Sequence, residues 1–332
     1  MPMSNETITY SDAICRAIKE EMEKDDTIFT YGEDIAEQGG IFGQYSDLID
    51  EFGDRVIDTP ISEEVIYGSA VGAALAGTRP IVEFHFADFL FTGMTAITNQ
   101  IMKIRYMSGG QGDLPIILRG PDGRAQSAAA QHSQSIETIF MHVPGIKVAI
   151  PSTPRDVYGL YKTALNQPDP VIFFEHKMLY DREGEVSTDE FSIEFGDADI
   201  KREGGDITVI TTGRMAHESL KAAEELAGEG ISLEVIDLRT LVPWDRETVL
   251  ESVKKTGRIL ITHETWRRAG WGAEVASYIQ ENAFDYLDAP IRRVGAYNVP
   301  NSFAPTQEEF IMPDADNVLE EARKFTIYDE VN

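Results

Sequence analysis

The sequence predicts an α/β protein of two domains, each a mostly parallel sheet flanked by helices. Three observations predict it. The chain has 332 residues, long for one hydrophobic core. Short β-branched and aromatic runs alternate with amphipathic stretches of helical period, the pattern of parallel sheets covered by helices. A polar, acidic, weakly periodic stretch over 177–205 interrupts that alternation. The domains are read as 1–190 and 206–332, with 191–205 as the connecting segment.

In chain order, 11–24 reads as a helix with Ile14, Ala17, Ile18 and Met22 on one face. A short strand follows over 27–31, and 32–58 is mostly loop with a helical piece near 45–52. The stretch Asp58-Thr-Pro-Ile-Ser begins extended, because Pro60 fixes its own φ and disfavours a helical Thr59. Ser62 is positioned as an N-cap, placing Glu63 and Glu64 in a first turn where the helix dipole favours carboxylates. Gly68, Ser69, Ala70, Gly72, Ala73, Ala74 and Ala76 then give a helix almost without side-chain bulk. Each internal Gly costs about 1 kcal/mol against Ala, so close approach by another helix, a second subunit or a ligand is expected. A strand over 80–86, an aromatic segment and a helix to about 107 come next. A strand over 115–119, a Gly/Pro/Ala/Ser-rich loop over 120–133, and strand, helix and strand over 146–150, 154–166 and 171–175 complete the first series. The second series has strands over 206–211, 232–237, 258–262 and 291–294, with helices near 217–228, 245–255 and 272–282.

Composition narrows the function. The formal charge of −28 argues against nucleic acid or an anionic membrane as the main partner, since both require a basic face. No apolar run approaches the roughly 20 residues of a membrane span, and the first residues lack the basic and apolar regions of a signal peptide. A single cysteine, Cys15, excludes an internal disulfide framework. A reducing, cytoplasmic location is the expectation.

Four groups of residues carry candidate chemistry. Glu63, at a helix start beside a small-residue surface, has room to reach a bound ring, or is simply a first-turn acid facing water. Phe84, Phe86, Phe89 and Phe91 with His85 and Asp88 form core, or stack on a flat heteroaromatic ligand. His132, in a polar loop, suits acid–base work or anion binding, or is an exposed loop residue. His263-Glu264 lies at a strand's C-terminal end, where α/β sites often sit, and with Arg267, Arg268 and Gly270 suits contact with an anion or another subunit, or is simply surface or interface, the reading placed first. The sequence has no Gly-x-Gly-x-x-Gly fingerprint, Walker loop, Gly-x-Ser-x-Gly elbow or paired Cys/His metal motif. The residues alone therefore stop at a two-domain α/β protein with a candidate ring-binding site.

Several motifs go further. Asp58-Thr-Pro-Ile-Ser-Glu63, Ala70-Val-Gly-Ala-Ala, Ala129-Ala-Gln-His-Ser-Gln134, Pro170-Val-Ile-Phe-Phe-Glu175-His-Lys-Met-Leu-Tyr180 and Glu234-Val-Ile-Asp-Leu-Arg-Thr240 closely resemble the beta subunit of the thiamine-diphosphate decarboxylase component of 2-oxo acid dehydrogenase complexes. The similarity covers nearly the whole chain. The segment through Glu175–Tyr180, with Gly184-Glu185-Val186, looks most like the pyruvate and acetoin branches. The resemblance implies a transketolase-like arrangement: an N-terminal pyrimidine-binding domain, a C-terminal domain at the subunit interface, and an alpha2-beta2 heterotetramer. It also implies a lipoyl-bearing acyltransferase core as partner. The alpha chain of the family holds Mg²⁺ and the diphosphate through a Gly-Asp-Gly motif, which is missing here. This chain is therefore expected to carry half an active site, no metal ligands of its own, and no activity alone.

By position, the resemblance assigns Glu63 to the ring nitrogen of the cofactor's aminopyrimidine, where it promotes proton removal from the thiazolium carbon. Phe89 matches the aromatic packed on the pyrimidine, and Ile61 lies in the stretch approaching the ring. His132 matches the histidine that handles the intermediate and the acyl transfer to lipoamide. His85 stands where family members often carry Gln or Met, and would alter proton traffic or substrate choice if it points into the site. Gln167-Pro-Asp-Pro170 departs from the family's usual potassium loop, so that ion is not expected. The rival readings are a transketolase-type carboligase, disfavoured by the missing diphosphate motif, and a non-catalytic scaffold subunit. A further expectation comes from the acid excess, with 18 Arg and 11 Lys against 57 Asp and Glu. Salt screens this self-repulsion, so the unfolding midpoint is expected to rise with KCl concentration, and a flat dependence would refute the expectation.

Overall fold

The computed structural model describes residues 5–325. The chain forms two compact units. The first comprises residues up to Asp122 together with Ile139–Phe195, and the second Gly123–Thr138 together with residues from Gly196 on. The loop that carries His132, read from the sequence as part of the first domain, thus associates with the second unit.

In the first unit, six strands lie side by side in the order Lys147–Ala149, Val171–His176, Ile117–Asp122, Arg79–Glu83, Ile28–Gly32, Val56–Asp58. Every pair among them is parallel. Parallel strands are buried on both faces, which is why Val171–His176 and Ile117–Asp122 are buried along their whole length. The helix Tyr10–Lys24 starts with a capping box, in which Thr9 accepts the Asp12 N–H and Asp12 accepts the Thr9 N–H. It buries Ile14, Ala17, Ile18 and Met22 as its period requires. It packs on Pro154–Leu165, whose first turn is fixed by Thr153 as N-cap and Pro154 at its start.

Two features differ from the sequence reading. Asn5–Thr9, unassigned by pattern, pairs antiparallel with Glu183–Ser187, which lies in the polar stretch 177–205 where no strand was expected. Neither strand has an apolar face of its own, so only their mutual register reveals them. The helix expected to run to about 107 is instead a 3₁₀ turn Ala87–Phe91, a π-helix Ala96–Ile101 and a short α-helix Ile104–Met107.

The second unit has a five-stranded sheet in the order Arg292–Ala296, Ile259–Trp266, Ile207–Thr211, Leu233–Asp237, Asp199–Arg202. The first four are parallel and the last is antiparallel. That edge strand lies where a connection was expected. Its residues Asp-Ile-Lys-Arg are mostly charged and pair only along one side, as edge strands do. Two helices absent from the sequence reading, Pro305–Ile311 and Ala315–Arg323, follow.

A buried ion pair joins two neighbouring strands of the first sheet. The Arg119 Nε donates to Glu175 Oε1 at 2.9 Å, and a second guanidinium nitrogen reaches Oε2. Tyr180 donates to Glu175 at 2.8 Å, Tyr161 donates to its other oxygen, and the Arg119 guanidinium lies 4.9 Å from the Tyr45 ring centroid. Both charged side chains are fully buried. Removing one partner strands the other without water, at a cost of about 3–5 kcal/mol. Arg119→Met should lose stability of that order in urea unfolding, and Arg119→Met/Glu175→Met should recover part of it. A single variant as stable as the parent would show the pair to be dispensable.

Candidate active site

The helix Glu63–Leu75 is held on the first sheet by its buried stripe Ile66, Tyr67, Ala70, Val71 and Ala74. Tyr31 fixes it further, donating to the Ile66 carbonyl at 2.8 Å. The chain reaches the helix from Val56–Asp58, where the Thr59 N–H donates to the Gly32 carbonyl at 2.8 Å. The Asp58 carboxylate accepts the N–H groups of Ala36 and Glu37 at 2.7 and 3.0 Å, pinning the loop after Ile28–Gly32. Ser62 stands at the N-cap but its side chain makes no capping hydrogen bond. Within this chain Gly72 has nothing close to it, and a Cβ on Gly68 would meet only Ala96 at an ordinary 3.8 Å. The close approach that these glycines were expected to serve does not occur within the described chain at Gly72. The opposite side of the helix leaves Val65 and Leu75 exposed, next to Ile61 at 79% exposure.

Four carboxyl and hydroxyl groups gather where this helix begins. Tyr67 is buried with no partner for its hydroxyl among the described residues. Its phenol is pushed well above the ordinary range by burial, and then by the charges of Glu63, Glu83 and Glu33. Glu33, buried at the end of Ile28–Gly32, is raised by burial and next by Glu63. Glu83, at the end of Arg79–Glu83, is fully buried and pushed up to about 8 by desolvation, although Arg119 pulls the other way. Gly93 closes the same place: a Cβ there would stand 2.2 Å from the Tyr67 ring and 3.0 Å from the Glu63 carbonyl oxygen.

His85 follows Glu83 with φ at +50°, an uncommon left-handed conformation for a residue with a side chain. Its N–H donates to Glu83 Oε2 at 3.0 Å, and its Nδ1 lies 4.0 Å from the same oxygen. The turn lays the imidazole parallel to the half-buried Phe89, 9° off and 6.4 Å between centroids. Phe86 meets Phe89 edge-on at 5.6 Å. Phe84, by contrast, is core, tilted against Phe174.

The second unit holds His132. Its loop is tied at several points. The Arg124 N–H donates to Glu264 at 2.7 Å, the Ser127 N–H donates to Glu308 at 3.0 Å, and Thr265 donates to the Ser135 carbonyl at 2.8 Å. Ser127 and Ala129 take positive φ of 70° and 60°. His132 is half-buried between these ties, and Gln131 is exposed. Glu137, fully buried after the loop, is pushed up to about 7 by desolvation.

His263-Glu264, read first as surface or interface, is buried. The His263 ring packs against Gly270, Gly272 and Gly295, where any Cβ would come within 2.6–2.8 Å of it. Its Nδ1 shares a hydrogen bond with the Thr265 carbonyl at 3.0 Å, and burial lowers its pKa to about 4. It is a neutral core histidine. Glu264 pairs with Arg214 at 2.5 Å. Arg267 and Arg268 remain exposed.

The structure thus brings Glu63, Tyr67, Glu33 and Glu83 into one electrostatic group, and His85 onto Phe89, within the first unit. His132 belongs to the second unit. Glu33, Tyr67 and Glu83 were missed by the sequence reading. The one visible signal, for Glu33 and Glu83 alone, was a glutamate at the C-terminal end of each of two apolar strands, the end at which open parallel sheets place ligands.

A family model of the transketolase pyrimidine-binding domain matches residues 6–183, and one of the transketolase C-terminal domain matches residues 196–318. The chain is 45% identical over 314 residues to the 2-oxoisovalerate dehydrogenase subunit beta of Bacillus subtilis, covering 94% of this chain and 96% of that one. It is 45% identical over 322 residues to the pyruvate dehydrogenase E1 component subunit beta of Rickettsia felis, covering 97% and 99%. It is 43% identical over 322 residues to the acetoin:2,6-dichlorophenolindophenol oxidoreductase subunit beta of Cupriavidus necator, covering 94% and 95%. A solved split-gene transketolase, an inactive beta4 tetramer, shares the fold with a TM-score of 0.77 over 96% of this chain and 98% of that one, at 24% identity. Two transketolase-type α/β domains in tandem define the class. The chain belongs to the family of beta subunits of thiamine-diphosphate-dependent 2-oxo acid and acetoin dehydrogenases.

The Glu83 carboxyl gives a pH prediction independent of ligand. Its pKa is about 8 in the fold against an ordinary 4.5, so the folded state holds a proton that the unfolded chain releases. Its contribution is complete below about 4.5 and is lost as pH rises through about 8. The limit is about 1.4 kcal/mol per pH unit. Stability of the parent minus that of Glu83→Gln, followed by urea unfolding, should decline across this window and then level off. A difference independent of pH would mean that Glu83 is ionised in the fold.

Proposed function

We propose that this chain supplies the pyrimidine side of a thiamine-diphosphate site in an alpha2-beta2 2-oxo acid or acetoin dehydrogenase, and turns over only when joined to its alpha chain. The observation that carries the reading is the half-buried Glu63 at a helix start, grouped with Glu33, Glu83 and an orphaned, buried Tyr67 hydroxyl. This set fits the aminopyrimidine ring: a carboxylate for a ring nitrogen, the exposed Ile61 as an apolar contact, and the half-buried Phe89 as an aromatic face. Among the described residues no group of three or more His, Cys, Asp or Glu is placed to hold a metal. Mg²⁺ and the diphosphate are assigned to the alpha chain on the family resemblance, whose Gly-Asp-Gly motif is missing from this sequence. When bound, thiamine diphosphate supplies the thiazolium electron sink on which the substrate's carbon–carbon bond is cleaved.

The residues of this chain then have separate tasks. Glu63 holds a proton at the pyrimidine nitrogen. Burial, and then the nearby Glu63 carboxylate, raises the Glu33 carboxyl above its ordinary range. Phe89, backed by Phe86 and His85, fixes the plane of the ring and excludes water from its face. His85, on its strained turn, is directed by Glu83. His132 moves a proton during acyl transfer to a lipoyl group carried by an acyltransferase core.

The substrate is left to experiment. Relatives named for 2-oxoisovalerate, pyruvate and acetoin are nearly equally similar. The Glu175–Tyr180 segment, which resembles the pyruvate and acetoin branches, is largely buried scaffold around Arg119. An acidic C-terminal region, Glu308–Glu309 through Glu320–Glu321, offers charge for a basic domain of the acyltransferase core, but not all of its acids are available. Glu308 is buried on the Ser127 N–H, and Glu321 is paired with Arg292 and Lys324.

Co-expression with the alpha chain tests the reading. With thiamine diphosphate and Mg²⁺, dye reduction should appear on one of pyruvate, branched-chain 2-oxo acids, 2-oxoglutarate or acetoin, and only when both chains are mixed. Glu63→Gln should assemble normally and lose roughly 10²–10⁴ in rate. A fully active Glu63→Gln complex would sink the assignment, and a complex silent on all four substrates would favour the scaffold reading.

A further inference from the structure

The second unit contains a cavity of about 600 Å³ that includes none of the residues assigned to the thiamine site. Its lining includes Arg267, Arg268, Arg293, Tyr297, Asn298 and Asn317. Its volume lies within the roughly 300–1,000 Å³ typical of small-molecule sites. Three guanidinium groups at one cavity are unexpected in a chain of net charge −28. Many other arginines are matched with carboxylates: Arg16 with Glu6 and Glu20, Arg119 with Glu175, Arg214 with Glu264, Arg323 with Glu225 and Glu229.

Arg267, Arg268 and Arg293 make no ion pair among the described residues. The acids on the same rim do not serve them, since Glu320 and Glu321 pair with Lys324, and Glu321 also with Arg292. The cluster is held together from within. Arg293 donates to the Arg267 carbonyl at 3.2 Å, and the Arg267 N–H donates to the Ala296 carbonyl at 3.0 Å. Arg293 is half-buried, and its pKa is lowered by burial and then by Arg267. Like charges at one cavity, with Arg293 and Arg267 tied together and Arg293 partly desolvated, are relieved by an anion among them.

The remaining lining indicates which anion. Guanidinium forks match phosphate oxygens two at a time. A cluster of three positive charges is balanced by a polyphosphate and left in excess by a single carboxylate. Tyr297 is 55% exposed, with its ring stacked on Phe310 at 5.2 Å and 13°. It forms a rigid aromatic surface beside the arginines, suited to a planar ring. Asn317 accepts the Asp314 N–H through Oδ1, which leaves its amide hydrogens as donors.

We propose that the cavity bounded by Arg267, Arg268, Arg293 and Tyr297 binds a nucleotide-like small molecule, its phosphates on the arginines and its base on Tyr297. The proposal is independent of the thiamine reading. It is tested on the assembled alpha–beta complex saturated with thiamine diphosphate and Mg²⁺, by titration calorimetry with inorganic pyrophosphate and with ADP.

Both probes should bind once per beta chain, ADP more tightly. Arg268→Gln/Arg293→Gln should weaken both roughly 10- to 100-fold, the scale of charge-assisted hydrogen bonds. Tyr297→Ala should remove the advantage of ADP while leaving pyrophosphate unchanged. Glu63→Gln should leave both affinities intact, so that failure of the thiamine site and failure of this one are told apart. Should the glutamine pair misfold, Arg268→Lys/Arg293→Lys keeps the charge, loses the forks, and should still weaken binding. No binding to the parent complex, or equal binding to the arginine variants, overturns the site. ADP binding no better than pyrophosphate overturns the assignment of the base to Tyr297.

Discussion

Parallel pairing of Ile28–Gly32 with Arg79–Glu83 is the constraint from which the first unit's chemistry follows. In this register Thr30 faces Ile81 and Tyr31 faces Val82, so both strands end at one edge of the sheet. Glu33, the first residue past one strand, and Glu83, the last of the other, with His85 two residues beyond it, are therefore delivered to the same place from stretches of sequence about fifty residues apart. The third contribution comes from Val56–Asp58, parallel on the other side of Ile28–Gly32, which feeds directly into Ile61 and Glu63. Once parallel pairing is set, the carboxylates converge without further instruction.

That convergence creates an electrostatic problem, and the molecule meets it differently at each buried acid. Glu175 stays between a guanidinium and two phenols, which supply its lost hydration as hydrogen bonds. Glu264 is held by Arg214 and a backbone N–H. Glu83 has no such neighbour in contact: its partners are the His85 N–H at 3.0 Å and, more distantly, the Gln44 amide at 3.4 Å. Burial is then relieved by protonation. The same logic makes His263 neutral inside its glycine-lined space and leaves Arg267, Arg268 and Arg293, without an ion pair among the described residues, conspicuous.

The small-residue helix takes its meaning from what it does not touch. Its buried stripe accounts for Ile66, Tyr67, Ala70, Val71 and Ala74. Gly72 lies open, and Val65 and Leu75 of the same helix are exposed, as is Ile61 before it. A helix with two internal glycines is costly by itself, and within the described chain only Gly68 has a neighbour to meet.

By itself the sequence determined the α/β class, most strands and helices, and the family. The apolar periods of Tyr10–Lys24 and Pro154–Leu165, with Thr and Pro at their starts, are local signals that need no tertiary context. The motif Asp58–Glu63 was legible for the same reason, since Pro60 and the first-turn acids act over a few residues. Tertiary structure decided what depends on pairing between distant segments. Asn5–Thr9 and Asp199–Arg202 are strands only because an edge was available to them, and their polar residues carry no period of their own. His263 looked like surface because a His-Glu-Thr-Trp run resembles a strand end facing solvent, and only the approach of Gly270, Gly272 and Gly295 encloses it. The protonated Glu83 and the orphaned Tyr67 hydroxyl are likewise absent from any local pattern, because desolvation is a property of what surrounds a group.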